Sequence, residues 1–179
     1  MARYLYVVAG EHSGDAHGAG LLQSLAQQVD DLKVRGVGGS QMSELTGGGV
    51  RDWVEDAAVM GIWEVLKRYG WFKEQFEIMM GEVREMKPEV LLLIDYPGFN
   101  LRFAKAVLGR EPIVADIDEN KRKLALANGA CAAVDPREKE ARKQVMDLTG
   151  GSGVAAAILL FGRIFLEIIQ VVIVHDRRD

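Results

Sequence analysis

Short apolar runs, each closed by glycine or aspartate, punctuate this chain: RYLYVVAG, LKVRGVGG, EVLLLIDYPG, EPIVADID, ACAAVD and SGVAAAILL. Runs this short, bounded by turn-forming residues, predict buried strands. Between them the apolar positions change to helical spacing, over 16–28, 62–86, 101–108, 119–128 and 137–148. The longest of these carries Ile62, Val65, Leu66, Tyr69, Phe72, Phe76, Met79, Met80 and Val83 on one stripe. Gly129 and Gly150 stand where helices are expected to stop. Near-continuous apolar strands alternating with helices predict an α/β fold with a mostly parallel sheet, covered on both faces. Right-handed crossovers would make it doubly wound, a Rossmann-like three-layer sandwich. No internal repeat or low-complexity linker interrupts the pattern, so one domain over 1–179 is expected.

Composition supports a globular chain and narrows its chemistry. With 49% hydrophobic and 27% charged residues in a length of 179, the chain is sized to bury one core. A formal charge of −4 gives no basic face for a phosphate backbone, so nucleic acid is not an expected partner. A single cysteine, Cys131, excludes an internal disulfide and suits the reducing cytoplasm. Its small-residue surroundings, GACAAVD, predict a buried thiol. The start of the chain does not read as a signal peptide. The apolar stretch 154–174 is broken by Gly162, Arg163, Glu167 and Gln170, so no transmembrane segment is expected. Trp63, Tyr69, Trp71, Phe72 and Phe76 are expected in the core or at a subunit contact.

The first candidate site is the turn in VAGEHSGDAHGAGLL, between a strand and a helix. Free backbone N–H groups at a helix start suit an anionic or hydroxyl-rich ligand, making Ser13, Gly14 and Asp15 candidate binding residues. Helix capping by Ser13 or Asp15 is the alternative. Gly10, Gly14, Gly18 and Gly20 do not fit the dinucleotide pattern G-x-G-x-x-G. His12 and His17 stand five apart, which is not a metal-ligand spacing on a helix, and no metal is expected.

Four blocks then occur in order: V-A-G-E-x-S-G-D-x-H-G-A at 8–19, G-V-G-G-x-x-M at 36–42, A-V-M-G-I-x-E-V-L at 58–66 and K-P-E-V-x-x-x-I-D-Y-P-G-F-N at 87–100. On these, residues 1–110 resemble the N-terminal region of lipid-A-disaccharide synthase. The resemblance implies an inverting glycosyltransferase of two Rossmann-like halves, which joins a UDP-activated diacylglucosamine to a monosaccharide lipid acceptor. It also implies a catalytic part for Asp95. A carboxylate at the carboxyl end of a parallel strand is well placed to act as a general base on a sugar hydroxyl. Capping of the 97–100 turn is the alternative role for Asp95. In that family the second half supplies most of the sugar-nucleotide site, and this chain shows no counterpart of it. Half a cleft is expected to be catalytically silent.

Residues 111–158 show another pattern: a strand ending in D-x-D, a Lys-rich helix, Asn-Gly-Ala, a strand closing in Asp-Pro, then Leu-Thr-Gly-Gly. This resembles the NAD-binding domain of zinc-dependent medium-chain alcohol dehydrogenases. The resemblance implies that Asp116 would bind ribose hydroxyls with help from Lys121, and would prefer NAD to NADP. Capping of the 119–128 helix is the alternative for Asp116. A pyrophosphate turn, the zinc ligands and a substrate domain are all missing. Binding of a small nucleotide would therefore be weak; no cofactor is expected, and NAD is the alternative.

Two partial resemblances meeting at 110–111 predict an engineered or recombined domain without turnover, with no natural location if it is a recombinant product. A weak nucleotide-binding module for NAD, AMP or UDP, or a residual glycosyltransferase fragment, are the alternatives. In such a composite the strand in EPIVADID is expected beside that of 89–95, with ACAAVD extending the sheet. SGVAAAILL is expected at an edge, or as a helix. The apolar tail 159–179 is unassigned and predicts a homodimer, with His175 solvated.

Overall fold

The computed structural model describes residues 2–57, 68–94, 96–109, 113–115, 118–127, 129–135, 137–148, 156–160 and 170–174. They fall into two compact units, Met1–Glu89 and Val90–Asp179.

The first unit runs β1 (Arg3–Ala9), α1 (His12–Ala26), β2 (Leu32–Gly38), α2 (Ser40–Leu45), β3 (Val50–Asp52), α3 (Val54–Ala57) and α4 (Tyr69–Met86). Its strands lie in the order β3-β2-β1, all parallel. Leu5 to Ala9 are buried without alternation, as expected of a strand covered on both sides. Register confirms the cover. Val8, Val37 and Arg51 pair across the sheet, and Arg51 reaches α4 through Gln75. Gly38 points to the opposite face, where a Cβ would strike the Met42 side chain of α2. Glycine at 36 is dictated by closeness: φ is +143°, and a Cβ there would come within 1.8 Å of the Val7 carbonyl oxygen.

Within this unit, α1 begins at His12, before the expected start at 16, so Ser13, Gly14 and Asp15 sit inside its first turn. The segments α2 and β3 had no clear apolar period and were not foreseen. The described part of the long helix starts at Tyr69, and its buried face is Met79, Met80 and Val83. The expectations for 58–67, including Trp63, lie outside the described residues.

The second unit runs β4 (Val90–Ile94), α5 (Pro97–Leu108), β5 (Ile113–Ala115), α6 (Glu119–Ala127), β6 (Ala132–Val134), α7 (Ala141–Leu148), β7 (Ala156–Leu160) and β8 (Gln170–Val174). Its strand order is β4-β7-β8-β5-β6. The pairs β4–β7 and β5–β6 are parallel, whereas β8 is antiparallel to both β7 and β5. Two expectations are thereby corrected. The strand β5 is not beside β4, because β7 and β8 lie between them. Residues 156–160 form neither a helix nor an edge: flanked by β4 and β8, both sides of this strand find backbone partners. Ile113, Val134 and Val145 form a small core with Ala132 against it.

Cys131 is exposed, contrary to the buried thiol expected, because it lies in the bend before β6 and not within the strand. Among the described residues no helix is long and apolar enough to cross a membrane. Mostly parallel strands with flanking helices confirm the α/β, Rossmann-like class.

Candidate functional site

Open parallel sheets place chemistry in the loops beyond the carboxyl ends of their strands. In the first unit that rim starts with Gly10 and Glu11. Glu11 is extended (φ −138°), and its carbonyl accepts the Asp15 N–H at 3.0 Å, closing the first turn of α1. Ser13 is exposed on this turn and Gly14 is buried.

Asp15 is 2% exposed. Its Oδ1 accepts the N–H of Gly39 at 2.9 Å and of Met42 at 3.0 Å, and its Oδ2 accepts that of Gln41 at 3.0 Å. These are orphan donors at the start of α2, so the carboxylate caps a helix, though not its own. The partner residues are tens of positions away, and sequence spacing gave no sign of them. Gly39 is the matching requirement: a Cβ there would lie 2.6 Å from the Asp15 carboxyl carbon. The turn after β1 and the turn after β2 are thus braced against each other.

Two further features of this rim went unnoticed in the sequence. Trp53, directly after β3, is 3% exposed, and its indole N–H donates to the Ala9 carbonyl at 2.6 Å. Its ring stacks on Trp71 at 5.7 Å, and Trp71 meets Phe72 edge-on at 4.9 Å. Lower in the sheet, the buried Tyr6 hydroxyl donates to Glu82, and Arg51 Nε lies 3.3 Å from the other Glu82 oxygen. Burial above all, and then the Glu82 carboxylate, push the Tyr6 hydroxyl well above the usual tyrosine range. The signals available were a polar-headed aromatic in an apolar strand and a glutamate within a helix's apolar stripe.

His12 and His17 are exposed, with His12 Nε2 3.6 Å from Glu55. Among the described residues no group of three or more His, Cys, Asp or Glu is placed to hold a metal ion. A cavity of about 650 Å³ lies at the other end of these strands, lined by Tyr4, Leu22, Val34, Leu45 and Met86. None of the candidate residues lines it.

In the second unit, β4 ends at Ile94, and Asp95 lies outside the described residues. The turn beyond it is well defined. Tyr96 takes a left-handed backbone (φ +50°), and Pro97 opens α5 at a position suited to a residue lacking an N–H. The Tyr96 carbonyl accepts the N–H groups of Phe99 (3.1 Å) and Asn100 (3.0 Å). Asn100 is fully buried, and its Nδ2–H donates to the Ile94 carbonyl at 3.2 Å.

Asp116 also lies outside the described residues. Lys121 is in the first turn of α6, partly buried. The observed cap of α6 is Asp118, whose Oδ1 accepts the Asn120 N–H at 2.7 Å. Asp135, after β6, is nearly enclosed and accepts from Arg137 N (3.0 Å), Nε (2.9 Å) and Nη2 (2.6 Å), and from Arg122 Nη1 (3.2 Å). The hydrogen bonds from Arg137 hold its carboxyl well below the usual aspartate range. Its Asp-Pro setting drew notice in the sequence, but its arginine partners did not.

Comparison with known proteins bears on the same stretch. A family model described as lipid-A-disaccharide synthetase matches residues 5–114, running past residue 110 into β5. Lipid-A-disaccharide synthase 1 of Legionella pneumophila is 36% identical over 104 residues, which is 58% of this chain and 27% of the relative. The synthase of Trichlorobacter lovleyi is 41% identical over 101 residues, 55% of this chain and 26% of the relative. That of Coxiella burnetii is 37% identical over the same length and shares. The chain therefore spans about a quarter of the length of these relatives.

Proposed function

The chain belongs to the lipid-A-disaccharide synthetase family, and on that premise we propose that it contributes part of a sugar-transfer site in which Asp95 is the general base. The observation carrying this is the position of Asp95, directly after the buried parallel strand β4 and inside the family match. In an inverting transfer, a base there takes the proton of the acceptor hydroxyl. The freed oxygen attacks the anomeric carbon, and the nucleoside diphosphate leaves with the bonding electrons. The relatives extend well beyond the matched stretch, and the sugar-nucleotide side of the site would come from that further sequence.

The test is reconstitution. The full chain is mixed with the part of the Legionella pneumophila synthase that it does not cover, and lipid disaccharide formed from a UDP-activated acylated sugar is measured. Turnover is expected, and Asp95→Asn should lower it ~10²–10⁴-fold, the usual worth of a general base. No product from two folded parts, or full turnover with Asp95→Asn, removes the reading.

A second reading concerns residues 111–158. The parallel β5–α6–β6 unit, with Lys121 in the first turn of α6, supports a weak nucleotide-binding module. Asp116 and Lys121 would hold the ribose of NAD, and the chain would pair as a homodimer through 159–179. Isothermal titration with NAD, AMP and UDP tests the binding, and affinity weaker than millimolar for all of them would sink it. A solution mass of one chain would remove the dimer.

A further inference from the structure

We propose that Asn100 is a positioning residue for the Asp95 base, acting through the carbonyl oxygen of Ile94. This rests on the sugar-transfer reading of Asp95. Asn100 lies wholly out of solvent in a helix whose neighbouring Leu101, Phe103 and Ala104 are also buried. An amide in such a place is costly unless its polar atoms are used. One use is plain: Nδ2–H donates to Ile94 O.

That oxygen belongs to the peptide unit whose nitrogen is residue 95's own. The unit is planar, so tying down the oxygen sets the direction from which the chain enters residue 95. On the other side, Tyr96 is held in a left-handed conformation, and its carbonyl accepts the backbone N–H of the same Asn100. In sequence, residue 95 therefore lies between a carbonyl bonded to the Asn100 side chain and one bonded to the Asn100 backbone. A carbonyl at the end of a strand could be capped by any donor. The bond to Tyr96 comes from the Asn100 backbone N–H, which any residue there would supply, whereas the bond to Ile94 is the side chain's own and is the one of the two that ties the strand end to α5. Small displacements of a reacting group are expensive in rate, on the order of 10²-fold for about 1 Å.

The experiment uses the reconstituted mixture of chain and Legionella pneumophila part, together with backbone amide exchange on the isolated full chain. Asn100→Asp keeps the shape and removes the N–H donor; Asn100→Ala removes both. Each should lower kcat, counted per folded chain from near-ultraviolet circular dichroism, ~10–100-fold with KM for the acceptor within about twofold; lost folded protein would lower only the uncorrected rate. Exchange at 94–96 should quicken by about tenfold or more, while Tyr6–Val8 stay protected. If Asn100→Ala does not fold, Asn100→Asp carries both measurements. An unchanged kcat, an effect on KM alone, or unchanged exchange at 94–96 overturns the proposal. Retained turnover in Asp95→Asn, or no product in any mixture, removes the sugar-transfer reading instead. Amide exchange then decides the Asn100 tie, and no change there overturns it.

Discussion

The two units solve one problem, holding the loops beyond a parallel sheet, in different ways. In the first, the braces are long-range: Asp15 reaches three N–H groups in the next crossover, and Trp53 reaches back to the end of β1. In the second, the described polar contacts are mostly local. Asp118 caps its own helix, Asp135 is gripped by Arg137 two residues on, and Asn100 reaches back six residues to the end of β4. Long-range braces make one loop's geometry depend on another's, so damage should spread. Local caps should fail singly.

The largest stability effect should follow from Asp15→Ala. Two buried donors and one part-buried donor lose their acceptor, at ~1–3 kcal/mol for each unsatisfied buried group, so the first unit is expected to lose several kcal/mol in urea unfolding. A loss under about 1 kcal/mol would mean that the brace is not structural. Gly39→Ala attacks the same contact from the other side. Its Cβ must displace the Asp15 carboxylate, and a loss of ~1–3 kcal/mol is expected. The two changes should not add, because each removes the same contact.

Acid and alkali should separate the units. The Asp135 carboxyl is depressed below its ordinary value near 3.8, so its contribution is present above about pH 4 and is lost as pH falls below that. Arg137→Gln should raise the pH at which β6 amides lose protection in acid. Tyr6 is raised above its ordinary value near 10, so its contribution is full below pH 10 and is lost as pH rises beyond it. Tyr6→Phe should flatten the alkaline loss in the first unit and leave the acid behaviour of the second unchanged. A shared pH profile for both units would break the comparison.

The smallest effect is expected from Trp53→Phe, which keeps the stacking and deletes the indole N–H. About 1–2 kcal/mol should be lost, with faster exchange in the turn after β1.

Much of this was legible in the sequence. The runs at 3–9, 32–38 and 90–94 became strands, and their buried parts, 5–9, 36–38 and 91–94, are the stretches of apolar and small residues that fit a sheet covered on both faces. The helical start at His12 was misplaced, since Ser-Gly-Asp reads locally as a turn. In the structure those residues are helical, with the Asp15 side chain engaged elsewhere. The candidate set was only partly brought into view: Ser13, Gly14, Asp15 and Lys121 are placed, while Asp95 and Asp116 lie outside the described residues.

Local periodicity and the motif blocks were enough to determine the α/β class, most of the strands and helices (α2, β3 and β8 being among the exceptions), and kinship with lipid-A-disaccharide synthetases. Tertiary structure alone decided that β7 and β8 come between β4 and β5, and that a carboxylate in α1 caps α2. The physical reason is range. An apolar period records which face of an element is buried, whereas strand neighbours and buried hydrogen-bond partners are chosen only when distant segments compete for the same edge or the same donors.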